Sequence, residues 1–389
     1  MVNYEFCITQ ERGCEEFSSK ELSARFSTKS KIEKGFVTFK AELEKAVEIC
    51  YSAQSIKRVL LKISSGSFEE FETLLEKVFS DLENFSLDFI KFSSFRVECE
   101  RIGEHEFNSV NVEQELSRLL KDKTNAEVNL ANPDASFFIQ VLDESFIFGI
   151  DFGGRDLSKR QYLLFNNPNN IKGTLAFDLL LFADYTKKDV LLDPFSLAGT
   201  ICIEAANFTS SLPLNYYTKN FAFSKDIFEK DFSDILKKLD SKAITTSSPT
   251  IFSSDSSFNN TSAQKKNAKI GGVEKFISFS RKNVEDLDLK FFEKDVDLIA
   301  SKIIEPSKSV PDHVCKSVYT HLLRNTDEIL NKKGRMAFIF RNPDFFVELS
   351  EGFGFSLTKK SEVWQGKQNF YFCLFERKQA KKLNNPSKK

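Results

Sequence analysis

The chain reads as an α/β protein whose second half is a Rossmann-like sheet closed by an antiparallel hairpin. Three observations predict this. The run 190–206, VLLDPFSLAGTICIEAA, places a short apolar strand before Asp193-Pro194, then a small-residue turn with Gly199, then an apolar helix from Thr200. In an open α/β sheet that order puts a ligand just beyond the carboxyl end of the strand. The segments 355–363 and 370–376 read as two strands around Gln365-Gly366-Lys367-Gln368, a terminal hairpin. Upstream of residue 155, short strands and helices alternate as in a small α/β module.

Taken in order, 4–9 is a strand and a helix starts near Glu15. A strand at 35–39 and a helix at 43–53 follow. Segment 56–64 reads as a strand. Segment 68–82 reads as an amphipathic helix with Phe71, Leu74, Leu75, Val78 and Phe79 on one face. A strand at 95–100, a helix at 110–120, and a hairpin of 137–142 with 146–150 around Asp143-Glu144-Ser145 complete the first half. From Thr174 the units lengthen: helix 175–185, the strand at 190, helix 200–208. Residues 242–262 have the Ser/Thr content of a linker. Within them, however, 250–253 followed by Asp255 has the form of a second strand ending in an acid. Strands at 276–279, 296–300 and 335–340 follow, the last after a Lys332-Lys333-Gly334 turn.

A length of 389 residues suits two or three domains. A net charge of -1 leaves nucleic-acid binding open, because that needs a local basic face and not a basic total. Arg377, Lys378, Lys381, Lys382, Lys388 and Lys389 make an acid-free end that reads either as a solubilising tail or as an RNA-contacting arm. Seven scattered cysteines and three histidines have no zinc-ligand spacing, so no metal is expected, and reduced thiols point to the cytoplasm. No apolar run approaches ~18 residues, so no membrane span is expected. Many of the 42 phenylalanines alternate with polar residues, which is strand packing and not a base-stacking platform.

Several runs occur in the order of one family. ERGCEEFSSKEL and EKGFVTFK come first, then FRVECERIGEHEFNS (95–109), NLANPDASFFIQVLDESFIFGIDFGG (129–154), DLSKRQY (156–162) and DPFSLAGT (193–200). Together, from about residue 3 to about residue 376, they resemble the THUMP-domain RNA methyltransferases. The resemblance implies a ferredoxin-like domain at 1–55, a THUMP-like RNA-binding domain at 56–155, a methyltransferase domain at 160–377 and a basic tail at 378–389. It also implies S-adenosylmethionine as cofactor, tRNA or rRNA as partner, and methylation of a guanosine exocyclic amine. Cofactor contacts would come from Asp193, Phe195, Gly199, Thr200, Asp255 and Asn283. Asp255 can equally be a solvated loop acid. RNA contacts would come from Arg96, Arg101, His105, Arg155, Lys159 and Arg160, unless these are simply a solvated basic face.

The sequence departs from the family pattern at three places. Leu197 stands where the family has its first glycine, crowding a turn that favours positive φ. Asn283 replaces an aspartate, and an amide oxygen can still accept from an adenine amino group. Lys302-Ile303-Ile304-Glu305 replaces the family's [ND]-P-P-[YF]. Lysine cannot accept from an amine, leaving Glu305 as the candidate acceptor. Arg341-Asn342-Pro343 reads as a helix-start turn. The alternative is therefore a catalytically inactive RNA-binding relative.

Overall fold

The computed structural model describes residues 2–244, 250–287 and 295–378. Its amino-terminal part runs β1 (Tyr4–Thr9), α1 (Glu15–Phe26), β2 (Ser30–Glu33), β3 (Phe36–Ala41), α2 (Leu43–Ser52) and β4 (Arg58–Ser67). These strands lie in the order β2-β3-β1-β4, each antiparallel to its neighbour, which is the ferredoxin-like arrangement. The next elements are α3 (Phe71–Asn84), β5 (Ser94–Ile102), α4 (Ser109–Thr124), β6 (Glu127–Val128), β7 (Ala135–Leu142) and β8 (Ser145–Asp151).

Strand β4 does not end the first sheet. It pairs antiparallel with β8, and the sheet continues through β7, β5 and β6, the last two joined in parallel to their neighbours. The expected division at residue 55 therefore falls just before a strand that both small domains share. Gly149 marks the close approach of β4 and β8: a Cβ there would lie 2.3 Å from the Leu61 carbonyl oxygen. Strand β7 is buried along its whole length, the near-continuous apolar run expected of a strand covered on both faces.

By its contacts the chain divides into two units. The first holds Met1–Gln161, Lys172–Leu181 and Asn207–Thr245. By contacts, most of α5 (Gly173–Phe182), the end of α6 (Thr200–Ser210) and all of α7 (Ser233–Asp240) group with the two small domains, within the stretch 160–377 that the sequence reads as the methyltransferase domain. The reason is aromatic. Phe221, Phe223, Phe228 and Phe232 are buried in the core of the first unit. Phe152 stacks on Phe223 at 5.5 Å and meets Phe228 at 4.8 Å. The Tyr51 hydroxyl donates to Asp240 at 2.7 Å. Each fully buried phenylalanine contributes about 2–3 kcal/mol.

The second unit carries β9 (Leu191–Asp193), β10 (Ile251–Asp255), α8 (Phe258–Ile270), β11 (Ile277–Arg281), β12 (Val296–Lys302), α9 (Asp312–Ile329), β13 (Leu330–Phe340), α10 (Asp344–Gly352), β14 (Phe355–Gln365) and β15 (Gln368–Arg377). Its seven-stranded sheet has the order β11-β10-β9-β12-β13-β15-β14. All pairings are parallel except those of β15, which runs against both β13 and β14. Strand order reverses at β9, between β10 and β12, and that switch point is where an open sheet leaves a crevice.

Besides β2, β6 and α7, which the sequence reading did not contain, two elements of the second unit differ from expectation. Helix α9 has no counterpart in the sequence reading; it buries Cys315, Tyr319, Leu322, Leu323 and Ile329 against the sheet. Lys332-Lys333-Gly334, expected as a turn, lies inside β13. Within the basic tail, residues beyond Lys378 lie outside the described residues. Among the described residues no helix is long and apolar enough to cross a membrane.

Candidate functional site

The carboxyl ends of β9, β10, β11 and β12 converge on a cavity of about 620 Å³. Phe195 and Leu197 line it after β9, and Asp255 after β10. Asn283 follows β11, Lys302 through Ser307 follow β12, and Arg341 follows β13.

Asp193, at the tip of β9, is 1% exposed and is not one of the residues that line the cavity. Its Oδ1 accepts from the Ser301 hydroxyl at 2.6 Å and from the Phe195 N–H at 3.2 Å. Burial pushes its carboxyl up to about 7, against the pull of those bonds.

The turn that follows has the backbone the family's glycine would give. Leu197 sits at φ +47°, a left-handed conformation that costs an ordinary residue about 1–2 kcal/mol. It is held there from two sides. Its N–H donates to Asp255 Oδ2 at 3.1 Å, and its carbonyl accepts from Gln264 Nε2 at 3.2 Å. Gly199 lies at φ +86°, and a Cβ there would come within 3.2 Å of Gln264. Helix α8 thus braces the turn from behind, with Asn267 Nδ2 also donating to the Ala198 carbonyl at 3.0 Å. The Thr200 hydroxyl bonds the Asn170 side chain at 2.7 and 3.0 Å, so it ties down the 162–171 segment.

Asp255 is buried and committed to structure. Besides Leu197, its Oδ1 accepts from the Ser257 N–H at 2.9 Å and from Asn260 Nδ2 at 3.0 Å. A carboxylate offers about four acceptor sites, so one remains. Asn283 is exposed on the cavity wall at the start of a short 3-10 turn.

Lys302 and Glu305 are both part-buried. The Lys302 ammonium donates to the Asn169 carbonyl at 2.6 Å and lies 5.3 Å from the centre of the Phe370 ring. Burial holds it below the usual lysine range, and the nearby Arg341 charge pushes it the same way. Glu305 does not present an unoccupied carboxylate to a substrate amine, as the sequence reading required. Both its oxygens accept from the Arg341 N–H at 2.9 Å, and Oε1 also accepts from the Asn342 N–H at 2.9 Å. It clamps the loop into α10. Arg341-Asn342-Pro343 is the helix-start turn expected, with Pro343 as N-cap and Asn342 Oδ1 accepting from the Asp344 N–H.

In the first unit, the residues expected to meet RNA are placed unequally. Arg160 is 8% exposed and donates to the carbonyls of Leu157 and Gln54, which makes it a tie between loops and corrects the expectation of a phosphate contact. His105 bonds the Asp143 carbonyl at 2.6 Å and Arg101 at 2.9 Å. It lines a groove of about 890 Å³ whose wall carries Glu69, Glu70, Glu72, Glu104, Glu106, Asp143 and Glu144, a field that repels phosphate. Arg96 pairs with Glu98 at 2.6 Å. Arg155 lies over the Phe221 ring and bonds Asn215. Lys159 is exposed. Among the described residues no group of three or more His, Cys, Asp or Glu could hold a metal ion.

Sequence reasoning missed Ser301, Asn169 and Arg341. The Asn166-Asn167-Pro168-Asn169-Asn170 run was the available signal, since such residues build turns that bond their own backbone.

Residues 160–369 match the family described as RMKL-like, methyltransferase domain, and residues 67–151 match the THUMP domain. The chain belongs to the RMKL-like methyltransferase-domain family. The tRNA (guanine(6)-N2)-methyltransferase of Methanocaldococcus jannaschii is 28% identical over 384 residues, covering 93% of this chain and 97% of that protein. The ribosomal RNA large subunit methyltransferase K/L of Shewanella woodyi is 27% identical over 294 residues, 72% of this chain but 40% of that protein. Two solved structures share the fold. One is SMU.472, a putative methyltransferase complexed with SAH (TM-score 0.77, 19% identity, 98% of this chain and 100% of that one). The other is TrmN from Thermus thermophilus (TM-score 0.69, 22% identity, 97% and 100%).

For an RMKL-like methyltransferase domain, the cavity residues fit S-adenosylmethionine. The Leu197–Gly199 backbone would approach the methionine part, the spare lone pair of Asp255 would take a ribose hydroxyl, and the Asn283 amide would face the adenine edge.

Proposed function

We propose that this protein is an S-adenosylmethionine-dependent RNA methyltransferase acting on the exocyclic amine of a guanosine in tRNA. The observation that carries this reading is the cavity at the β9 switch point, floored by a positive-φ turn and an acid at the end of β10. It occurs in a chain that also has a THUMP domain and matches a tRNA guanine-N2 methyltransferase over nearly all of both lengths. The THUMP half would present the RNA through Arg96, Arg155 and Lys159. Seven unpaired cysteines suit a cytoplasmic enzyme.

When bound, S-adenosylmethionine supplies an electrophilic methyl group on a sulfonium. The chain's part is to hold the amine in line with that methyl and to exclude water. Phe195, Leu197, Ile303 and Ile304 give the cavity an apolar wall for that purpose. A second reading, a binding protein without turnover, is favoured by the two backbone amides that occupy Glu305. Calorimetry with S-adenosylmethionine and transfer of labelled methyl groups to tRNA separate the two. Binding with transfer supports the first, tRNA binding without transfer supports the second, and the absence of cofactor binding overturns the first.

A further inference from the structure

The β12–β13 side of the cavity carries two cationic side chains whose hydrogen-bond donors the protein leaves largely unspent. Lys302 leaves the end of β12 and Arg341 the end of β13, and both line the cavity. Among the described residues the Arg341 guanidinium has no hydrogen-bond or ion-pair partner. Its backbone is fixed all the same, because Glu305 grips its N–H. Lys302 spends one donor on the Asn169 carbonyl, and an ammonium has three. The two cations are near enough that Arg341 makes the charged form of Lys302 less favourable, while the Glu305 carboxylate works the other way.

The carboxylates on the same wall offset part of the charge but take none of these side-chain donors. Glu305 favours the charged form of Lys302 but gives its hydrogen bonds to the Arg341 and Asn342 amides, Asp255 accepts from Leu197, Ser257 and Asn260, and Glu285 lies 3.7 Å from His321. Lys282 adds a further cation to the lining, and the Ser307 and Ser309 hydroxyls stand on the same wall. Like charges left adjacent in a cavity cost free energy unless an anion joins them. A guanidinium beside an ammonium suits an oxyanion, the first by bidentate hydrogen bonds and the second as a point charge.

We propose that Lys302 and Arg341 form an oxyanion-receiving corner that holds a backbone phosphate of the RNA strand beside the target nucleotide. The proposal rests on the methyltransferase reading above. Lys302 stands where the family has an amine-accepting Asn or Asp, so in this chain that position grips the strand instead of the base amine. The same chemistry could receive the carboxylate of S-adenosylmethionine, and the test separates the two anions.

The full chain is compared with Arg341→Gln, Lys302→Gln and the double variant. Affinity for purified tRNA is measured from about 50 to 200 mM salt, and affinity for S-adenosylmethionine by calorimetry. A phosphate contact contributes roughly 0.7–0.9 to the slope of log affinity against log salt. The expected result is a slope shallower by about that amount in each single variant, with cofactor affinity within about twofold of the parent. Arg341 is exposed, so its variant carries the test even where Lys302→Gln lowers the melting temperature. An unchanged slope in Arg341→Gln overturns the proposal and leaves the methyltransferase reading standing. Lost cofactor affinity with an unchanged slope overturns it in favour of the carboxylate. A parent protein that binds cofactor but no tRNA overturns the proposal together with the RNA-substrate reading.

Discussion

Replacing Asp193 with asparagine is expected to remove a pH dependence from the stability of the second unit. The carboxyl is 1% exposed, and burial lifts it from an ordinary 3.8 to about 7. A raised acid binds its proton more tightly in the folded state than in the unfolded one. Its contribution is fully present below about pH 4 and is lost as pH rises through that interval to about 7. Three pH units at about 1.4 kcal/mol each make a loss of about 4 kcal/mol across the window, of which about 3 kcal/mol falls between pH 5 and 7. Asparagine keeps an oxygen for the Ser301 hydroxyl and the Phe195 N–H but carries no charge. Asp151, a second raised carboxyl at about 6, titrates the same way in both proteins and cancels in the comparison. Urea unfolding of parent and Asp193→Asn at pH 5, 6 and 7 reads the difference directly. The variant's advantage should grow by about 3 kcal/mol across that range. Parallel stability curves would refute the reasoning.

Gly199→Ala is expected to cost about 1–2 kcal/mol by urea unfolding and to weaken cofactor binding, because alanine must adopt φ +86° with its Cβ against Gln264. Leu197→Gly relieves the left-handed strain of about 1 kcal/mol and uncrowds the wall, so calorimetry should give equal or tighter S-adenosylmethionine binding, up to about tenfold; weaker binding would count against the steric argument. Glu305→Gln keeps one oxygen for the Arg341 and Asn342 N–H groups but sets an N–H₂ where Oε2 accepted from the Arg341 N–H, and it should lower stability by about 1 kcal/mol or more, with methyl transfer to tRNA falling alongside it. A fragment ending at residue 160 leaves Phe152 without Phe223 and Phe228, and it should show no cooperative melt by circular dichroism; a sharp transition would show that the small domains close without 207–244.

Local features were legible and distant ones were not. The Asp193–Thr200 turn declares itself because its signals are written in adjacent residues: Pro194, Ser196, Ala198, Gly199 and a helix start. The strands of the second unit are legible from the same kind of local pattern, including the unpromising one at Ile251–Asp255, where a short apolar start ends in an acid inside a Ser/Thr-rich stretch. Helix α9 stayed hidden because its buried face is mixed, with Cys315, Tyr319 and Thr326 among the leucines. The contacts of Lys302 and Glu305 were hidden for a different reason. Their partners lie 133 and 36 residues away, at the Asn169 carbonyl and the Arg341 amide, and no spacing rule reaches across such distances. Backbone groups on remote loops satisfy side chains without leaving any trace in residue type.

The return of residues 207–245 to the first unit has a consequence for biosynthesis. When residue 161 leaves the ribosome, both small domains are present in sequence, yet the aromatic surface around Tyr51 and Phe152 has nothing to close on. Its cover arrives about 80 residues later, and at roughly 5–20 residues per second that is a wait of about 4–16 seconds. Throughout it, the nascent chain displays apolar strand faces while the first segments of the methyltransferase sheet are still emerging. An early folding unit that depends on a late segment has high contact order, which slows closure and favours chaperone capture over spontaneous collapse. Slowing translation between residues 161 and 244 should therefore reduce the yield of folded protein, where for two domains arranged in tandem it would ordinarily help.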